Sequence, residues 1–342
     1  MATLAGNTIA STYALLLKID NTGIAGDGTL RKVEDGDATD SALSLSDVSI
    51  AVDATDKIFL DGGTHSYIHE SASDVVQIVA GGTVVFEGDT NSRISLSNND
   101  GGTSDNTVFG FLAGAALEAG AEDNTLIGDY AGNAITTADS NVVIGSSAMY
   151  QATIAKQNVA IGYYPMYQVS SAAVDNCVAI GYIPLGGVLT ADASGTVAIG
   201  ASALNALTSG AGNTAVGYRS LHATDDGAKN TAVGYDSLSS NVGDENTVVG
   251  HLAGYDATGA ENTFIGSSAG TNIGSTNGNV AVGRYALYTS TGAVDCIAIG
   301  RQAMYGGNAT QAGTVAIGKN TLNALTTGAG NVAVGYSALS QH

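Results

Sequence analysis

The chain has 342 residues, of which 47 are Gly, 2 are Pro and none is Trp, and charged residues make up only 12%. Low charge with abundant Gly would suit disorder, but 44% of the residues are hydrophobic and their Val, Ile and Leu recur at fixed spacing, which marks an ordered repeat. The formal charge of −20, from 31 acidic against 11 basic residues, excludes the basic stripe that nucleic-acid binding requires. It suits the solubility and mutual repulsion of a long exposed particle. Neither an EF-hand loop nor a calcium-binding nonapeptide array is present, so no metal or other cofactor is expected.

In chain order, residues 1–50 open with MATLAGNTIASTYALLLKID. That stretch lacks the basic and long apolar regions of a secretory signal. No run approaches the roughly 18 apolar residues of a membrane span. Ile9, Tyr13, Leu16 and Leu17 share one side of a short amphipathic helix predicted over residues 9–19, with short strands after it. Residues 51–103 alternate apolar and polar, as in Val75, Val76, Ile78, Val79, Val84, Val85 and Phe86, with Gly-Gly turns at 62–63, 81–82 and 101–102. They predict β-hairpins forming an intertwined or prism-like trimeric section.

Residues 104–342 repeat one phrase: Asn, Thr or Val, a small or apolar residue, Ile or Val, then Gly. The closing glycines are Gly110, Gly128, Gly145, Gly162, Gly181, Gly200, Gly217, Gly234, Gly250, Gly266, Gly283, Gly300, Gly318 and Gly335, spaced 16 to 19 residues apart. This near-constant period predicts an all-β fold, a parallel β-solenoid of about 14 coils. At about 4.8 Å per coil, the shaft would be on the order of 60–65 Å long.

Aligned on that Gly, the coils resolve into columns. The residue before it is Ile, Val or Phe, as in Ile161, Ile199 and Val216, and the residue three before is Thr, Val or Ile. Positions two apart share a face, and these bulky columns are expected to point into the coil. Leu, Met or Gly four after the Gly, such as Met149, Leu204 and Leu221, would fill the same interior from the opposite wall. The other strand face carries Ala two before the Gly in nine coils and Asn four before it in ten. A strand apolar on both faces is buried on both, so the Ala column is expected to line an axis around which three chains wrap. The Asn column predicts amide ladders satisfying turn backbone, and the closing Gly a positive φ at a corner.

Cys177 and Cys296 both take the Asn position of their coils, 119 residues apart. Around them CVAIGYIPLGG parallels CIAIGRQAMYGG, and TVAIGASALNALTSGAGNTAVGY parallels TVAIGKNTLNALTTGAGNVAVGY. A block of coils was duplicated. The two cysteines are repeat positions, too far apart to bridge, and they fit synthesis in a reducing cytoplasm.

NTAVGYRSL, NTAVGYDSL, NVAVGYSAL and GTVAIGASAL resemble the head repeats of trimeric autotransporter adhesins, a left-handed parallel β-roll. They resemble still more closely the longer versions found in bacteriophage tail fibres. Residues 56–90, DKIFLDGGTHSYIHESASDVVQIVAGGTVVFEGDT, are similar to a module upstream of such repeats, and TIASTYALLLKID with TLRKVEDGDATDSALSLS to the start of virion-attached fibres. The resemblance implies a homotrimeric tail fibre or similar virion appendage, made in the host cytoplasm and involved in host attachment. Residues 1–50 would be an attachment segment for a virion tail or baseplate protein. A tip adhesin or another fibre segment would follow the last repeat, YSALSQH, and a host-surface glycan or protein is an expected partner. The alternative is a cell-surface or self-assembling extracellular adhesive fibre; the stalk and membrane barrel of the autotransporters have no counterpart in this sequence.

No catalytic constellation is expected. His65, His69, His222, His251 and His342 are scattered, and the glycine-rich GAGNTAVG at 210–217 returns at 328–335 as GAGNVAVG, a coil corner rather than a phosphate loop. The column just after each Gly varies most. Its Tyr163, Tyr182, Tyr218, Tyr235 and Tyr336 form the candidate lateral contact surface. Two readings stay open: tyrosines that bind sugars or partner surfaces, or cross-chain packing. The Thr107, Thr125, Thr214, Thr231, Thr247 and Thr263 column suggests ice binding, but placed inward it could form no flat exposed array.

Overall fold

The computed structural model describes residues 106–340 apart from 170–172, 307–311 and 326. Before residue 106 it describes strand backbones between 18 and 95, with the side chains of Ile58, residues 66–68 and residues 77–79. The chain divides into two compact units, Met1–Ser97 and Asn98–His342.

The first unit holds two antiparallel sheets. One joins Lys18–Ile19, Arg31–Glu34, Asp40–Leu45 and Ile50–Val52 in sequence order. The other is a five-strand meander of Lys57–Phe59, Tyr67–Ala72, Val75–Ala80, Thr83–Gly88 and Ile94–Ser95. Within it Val79 is buried. Lys18 and Ile19, assigned above to a helix over residues 9–19, are strand; residues 9–17 and the three Gly-Gly pairs lie outside the described residues.

The second unit is a parallel β-solenoid. Fourteen three- to five-residue strands, from Thr107–Phe109 to Val332–Val334, form one sheet in sequence order, with thirteen turns of chain between them. Each strand meets the next in strict register, so Val178 faces Val197, Ala179 faces Ala198 and Ile180 faces Ile199. The closing Gly continues the stack: Gly128 N–H donates to the Phe109 carbonyl at 2.8 Å, and Gly217 N–H to Ile199 at 2.8 Å.

The strand faces are exchanged relative to the expectation from size. The small central residue is the one inside: Ala160, Ala179, Ala198, Ala215, Ala232, Ala281, Ala298 and Ala316 are fully buried, as are Leu126, Val143, Val248 and Phe264 at that position. The flanking Ile or Val and the Thr or Val point outward and are half-buried or exposed in the single chain. The physical reason is width. From the opposite wall, four after the Gly, come Met149, Met166, Leu185, Leu204, Leu221, Leu238, Leu287, Met304 and Leu322, all buried as expected. Between a Leu and the strand there is room for a methyl group and little more.

The two walls compensate in volume. Where the strand contributes Leu126 or Phe264, the facing position of the same coil is Gly132 or Gly270, and Gly254 leaves room for Leu238 of the coil before. A Cβ at Gly132 would lie 2.9 Å from Leu126, and one at Gly270 would lie 2.7 Å from the Phe264 ring. Such pairwise filling is what close-packed interiors require.

The Asn column is a buried ladder. Each side-chain oxygen accepts the next Asn N–H, from Asn124 on Asn106 at 2.9 Å through Asn158 on Asn141 at 3.0 Å. A second run joins Asn213, Asn230, Asn246, Asn262 and Asn279. The amide nitrogens reach corner carbonyls, as Asn141 does to Ala155 at 2.9 Å. Cys177 and Cys296 end the two runs, each still donating its N–H to the preceding Asn oxygen. Thr196 and Thr314, next in the column, keep buried hydroxyls without a partner.

The corners depend on positive φ. The closing glycines lie between 123° and 148°, where a Cβ at Gly128, Gly181 or Gly283 would come within 3.0 Å of the next corner's backbone. Left-handed φ is also taken by bulky residues two and four after the Gly, such as Tyr164 at 54°, Met166 at 49° and Leu204 at 48°. Each such residue costs about 1–3 kcal/mol in isolation. The coils offset this because both N–H groups bond to neighbouring coils, Tyr164 to Ser146 at 3.1 Å and Met166 to Pro184 at 3.1 Å.

Candidate interaction surfaces

Three features run along the outside of the coil. The first is the sheet's outer face, in which every rung presents Val, Ile, Phe or Thr at both outward positions. Val249, Ile265, Ile297, Ile299 and Ile317 are 36–43% exposed. Fourteen rungs about 4.8 Å apart and about 10 Å wide make a strip of about 600 Å². That equals the largest apolar patch that ordinary monomers carry and approaches the share of one partner in a standard interface. The Thr column lies on this outer face, so an inward placement is no ground against an exposed array. Beside each Thr, however, stands a Val, Ile or Phe, and the longest unbroken run of it is four rungs, Thr214 to Thr263.

The second feature is the column just after each corner Gly. It brings Tyr163 and Tyr182 together, stacked at 5.3 Å and 5°, their backbones in register. It likewise brings Tyr218 onto Tyr235 at 5.0 Å, and Tyr235 onto His251 at 5.5 Å. Tyr336 stands apart from these in the last described coil, beneath the Lys319 ammonium at 5.4 Å. Stacking spends ring faces on one another and turns hydroxyl-bearing edges outward. A sugar that packs on an aromatic face finds one only where the ladder is interrupted, as at Ala201 between Tyr182 and Tyr218. The Tyr163 phenol is held above its ordinary pKa by its hydrogen bond with Tyr164.

A second aromatic ladder runs beside the first, unforeseen from the sequence. Tyr150 stacks on Tyr167 at 5.3 Å and 10°, and Tyr288 on Tyr305 at 5.2 Å and 6°. Tyr130 and Phe111 extend the first pair, and Tyr164 links it to Tyr163. The signal was a Met-Tyr or Leu-Tyr pair at 149–150, 166–167, 287–288 and 304–305, in which the first residue is core and the second surface.

The third feature is charged. An open hollow of about 580 Å³ is lined by Asp226, Asp244, Glu245 and Glu261 with Gly227, Gly243 and Ala260. Asp225 beside it raises the Asp226 carboxyl, chiefly through a shared hydrogen bond. Asp244 accepts the Ala228 N–H at 2.8 Å, and Glu245 pairs with Lys229 at 2.8 Å. Among the described residues no cluster of His, Cys, Asp and Glu is placed to hold a metal ion, and no helix is long and apolar enough to cross a membrane. Cys177 and Cys296 are buried thiols that form no disulfide, and burial pushes both up.

Comparison with protein-family models, curated proteins and solved structures found no match.

Proposed function

We propose that this chain is a structural fibre protein of a phage virion, a tail fibre or similar appendage involved in host attachment. In this reading three parallel chains with left-handed coils assemble side by side. The observation that carries the assembly is the apolar outer face of the sheet, continuous over all fourteen rungs. A face of that length left in water promotes association, and a threefold arrangement covers three such faces at once.

The virion setting rests on the resemblance of the repeat phrases and the N-terminal segments to phage fibres. It implies a tail or baseplate protein bound by the first fifty residues, and a tip adhesin or further fibre segment beyond the last coil. The repeat phrases are shared with adhesin heads, which favours a cell-surface or extracellular adhesive fibre as the second reading. Both are scaffold roles without catalysis.

Sedimentation equilibrium of the purified chain tests the assembly. The expected mass is three times 33.9 kDa, and a folded monomer at micromolar concentration refutes it. Immunoelectron microscopy tests the setting. Label on the tails of virions from infected cells supports the phage reading; label on the surface of uninfected cells replaces it with the second.

A further inference from the structure

We propose that Arg284, Arg301 and Lys319 form a binding site for a linear anionic glycan with a carboxylate on each sugar, lying along the coil axis. The three residues follow the corner glycines of successive coils, and their backbones are bonded in sequence. Gln302 N–H donates to the Arg284 carbonyl at 3.0 Å, and Asn320 N–H to that of Arg301 at 3.0 Å. All three side chains are exposed. Their backbone positions therefore follow one another along the coil at a spacing of about 4.8 Å.

Pairing separates them from the other cations of the solenoid. Lys156, Arg219 and Lys229 each lie against a carboxylate of an adjacent coil, Asp139, Asp236 and Glu245. Arg284, Arg301 and Lys319 make no ion pair among the described residues. Like charges on neighbouring strands repel, so the row costs stability until an anion lies across it.

The internal duplication acts as a control. VAIGYYPMY at 159–167 parallels VAVGRYALY at 280–288, and the blocks around the cysteines continue the alignment. Tyr163, Tyr182 and Ala201 thus occupy the positions of Arg284, Arg301 and Lys319. The same coil forms with neutral residues there, so the cations are not required by the fold.

Aromatic neighbours hold two of the three in place. The Arg284 guanidinium lies 4.6 Å over the Tyr285 ring and donates to its hydroxyl at 3.2 Å, and Lys319 lies over Tyr336. Arginine forks match carboxylates bidentately, and the rung spacing is of the order of one sugar in an extended polyuronate. Screening over about 8 Å at physiological salt leaves the ladder effective despite the acidic chain.

The proposal deepens the attachment reading and rests on it for its biological meaning. The test uses full-length assembled protein immobilised on a sensor, with polygalacturonate, neutral dextran and inorganic polyphosphate as probes. Wild type is expected to bind polygalacturonate, less tightly as salt rises, and not dextran. The triple variant Arg284→Gln, Arg301→Gln, Lys319→Gln is expected to lose about tenfold or more in affinity. The control Lys156→Gln, Lys229→Gln should stay within about twofold, because those exposed pairs contribute little. No binding by wild type, equal binding by the triple variant, or tighter binding of polyphosphate overturns the proposal. So does a fall in assembly mass of the triple variant, which would make the ladder a contact between copies. Adsorption to host cells is measured separately: its absence with polyuronate binding intact counts against the attachment reading alone.

Discussion

The Phe264 ring fills the space that Leu287 occupies in the next coil, and Gly270, across the same coil, leaves it room; a Cβ there would lie 2.7 Å from the ring. Gly270 has φ +60°, close to the 53° of Leu287 one coil on. The backbone of this position therefore accepts a leucine, and only the ring forbids it. Gly270→Leu alone is expected to destabilise by about 1–3 kcal/mol through overpacking, and Phe264→Ala alone by about 3–5 kcal/mol through its cavity. The double variant Phe264→Ala, Gly270→Leu recreates the Ala281–Leu287 pairing and should recover most of the loss. Denaturant midpoints of the four proteins check this, and additive losses would show that the two walls are not coupled.

The exchanged strand faces separate folding from assembly. Ala198→Asp places a carboxylate at a fully buried site, where an unpaired charge costs several kcal/mol or more, so the β signal in circular dichroism should be lost. Ile199→Asp lies on the outer face; the coil should fold while sedimentation shows smaller particles. Tyr218→Ala should alter neither. Identical behaviour of Ala198→Asp and Ile199→Asp would contradict the assignment of faces.

The amide ladder predicts a dependence on position. Asn246 accepts the Asn262 N–H through its side-chain oxygen at 2.9 Å and donates to the Gly259 carbonyl at 3.0 Å, both buried. Asn246→Ala strands these groups and should cost about 1–3 kcal/mol. Asn331 has an exposed hydrogen bond to Gly328, and Asn331→Ala should cost clearly less. Thermal melts of the two variants compare them directly.

Burial holds the Cys177 and Cys296 thiols above their ordinary pKa. Because the folded value is the higher one, the stability contributed by the neutral thiols is complete below the unfolded pKa of about 8.5. It is lost progressively as pH rises from there through the folded value. Denaturant midpoints should fall above that pH, and less so in a Cys177→Ser, Cys296→Ser variant. Ellman's reagent at pH 8 should label neither thiol until the coil unfolds.

Much of the fold was legible in single residues. The closing Gly column announced the corners, the Asn column its ladder, and the Leu and Met column the inner wall. The second tyrosine ladder and the cationic row lay in the same alignment, at positions whose surface placement depends on how the chain turns after the corner. The left-handed conformations of Tyr164, Met166 and Leu204 could not be read, since bulky residues ordinarily avoid them. They arise from bonds that each N–H makes to the coil before or after.

By itself the sequence determined the period, the register and the two sets of strand residues, because a stacked coil must place like positions over one another. It could not say which set looks inward. Alternation is unchanged when the two faces are exchanged, and large aliphatic residues suit an interior as well as an interface between chains. The tertiary structure decided it through the distance across the coil. With Leu204 reaching in from the far wall, only Ala198 fits opposite it, and Ile199 is turned out towards whatever covers the sheet.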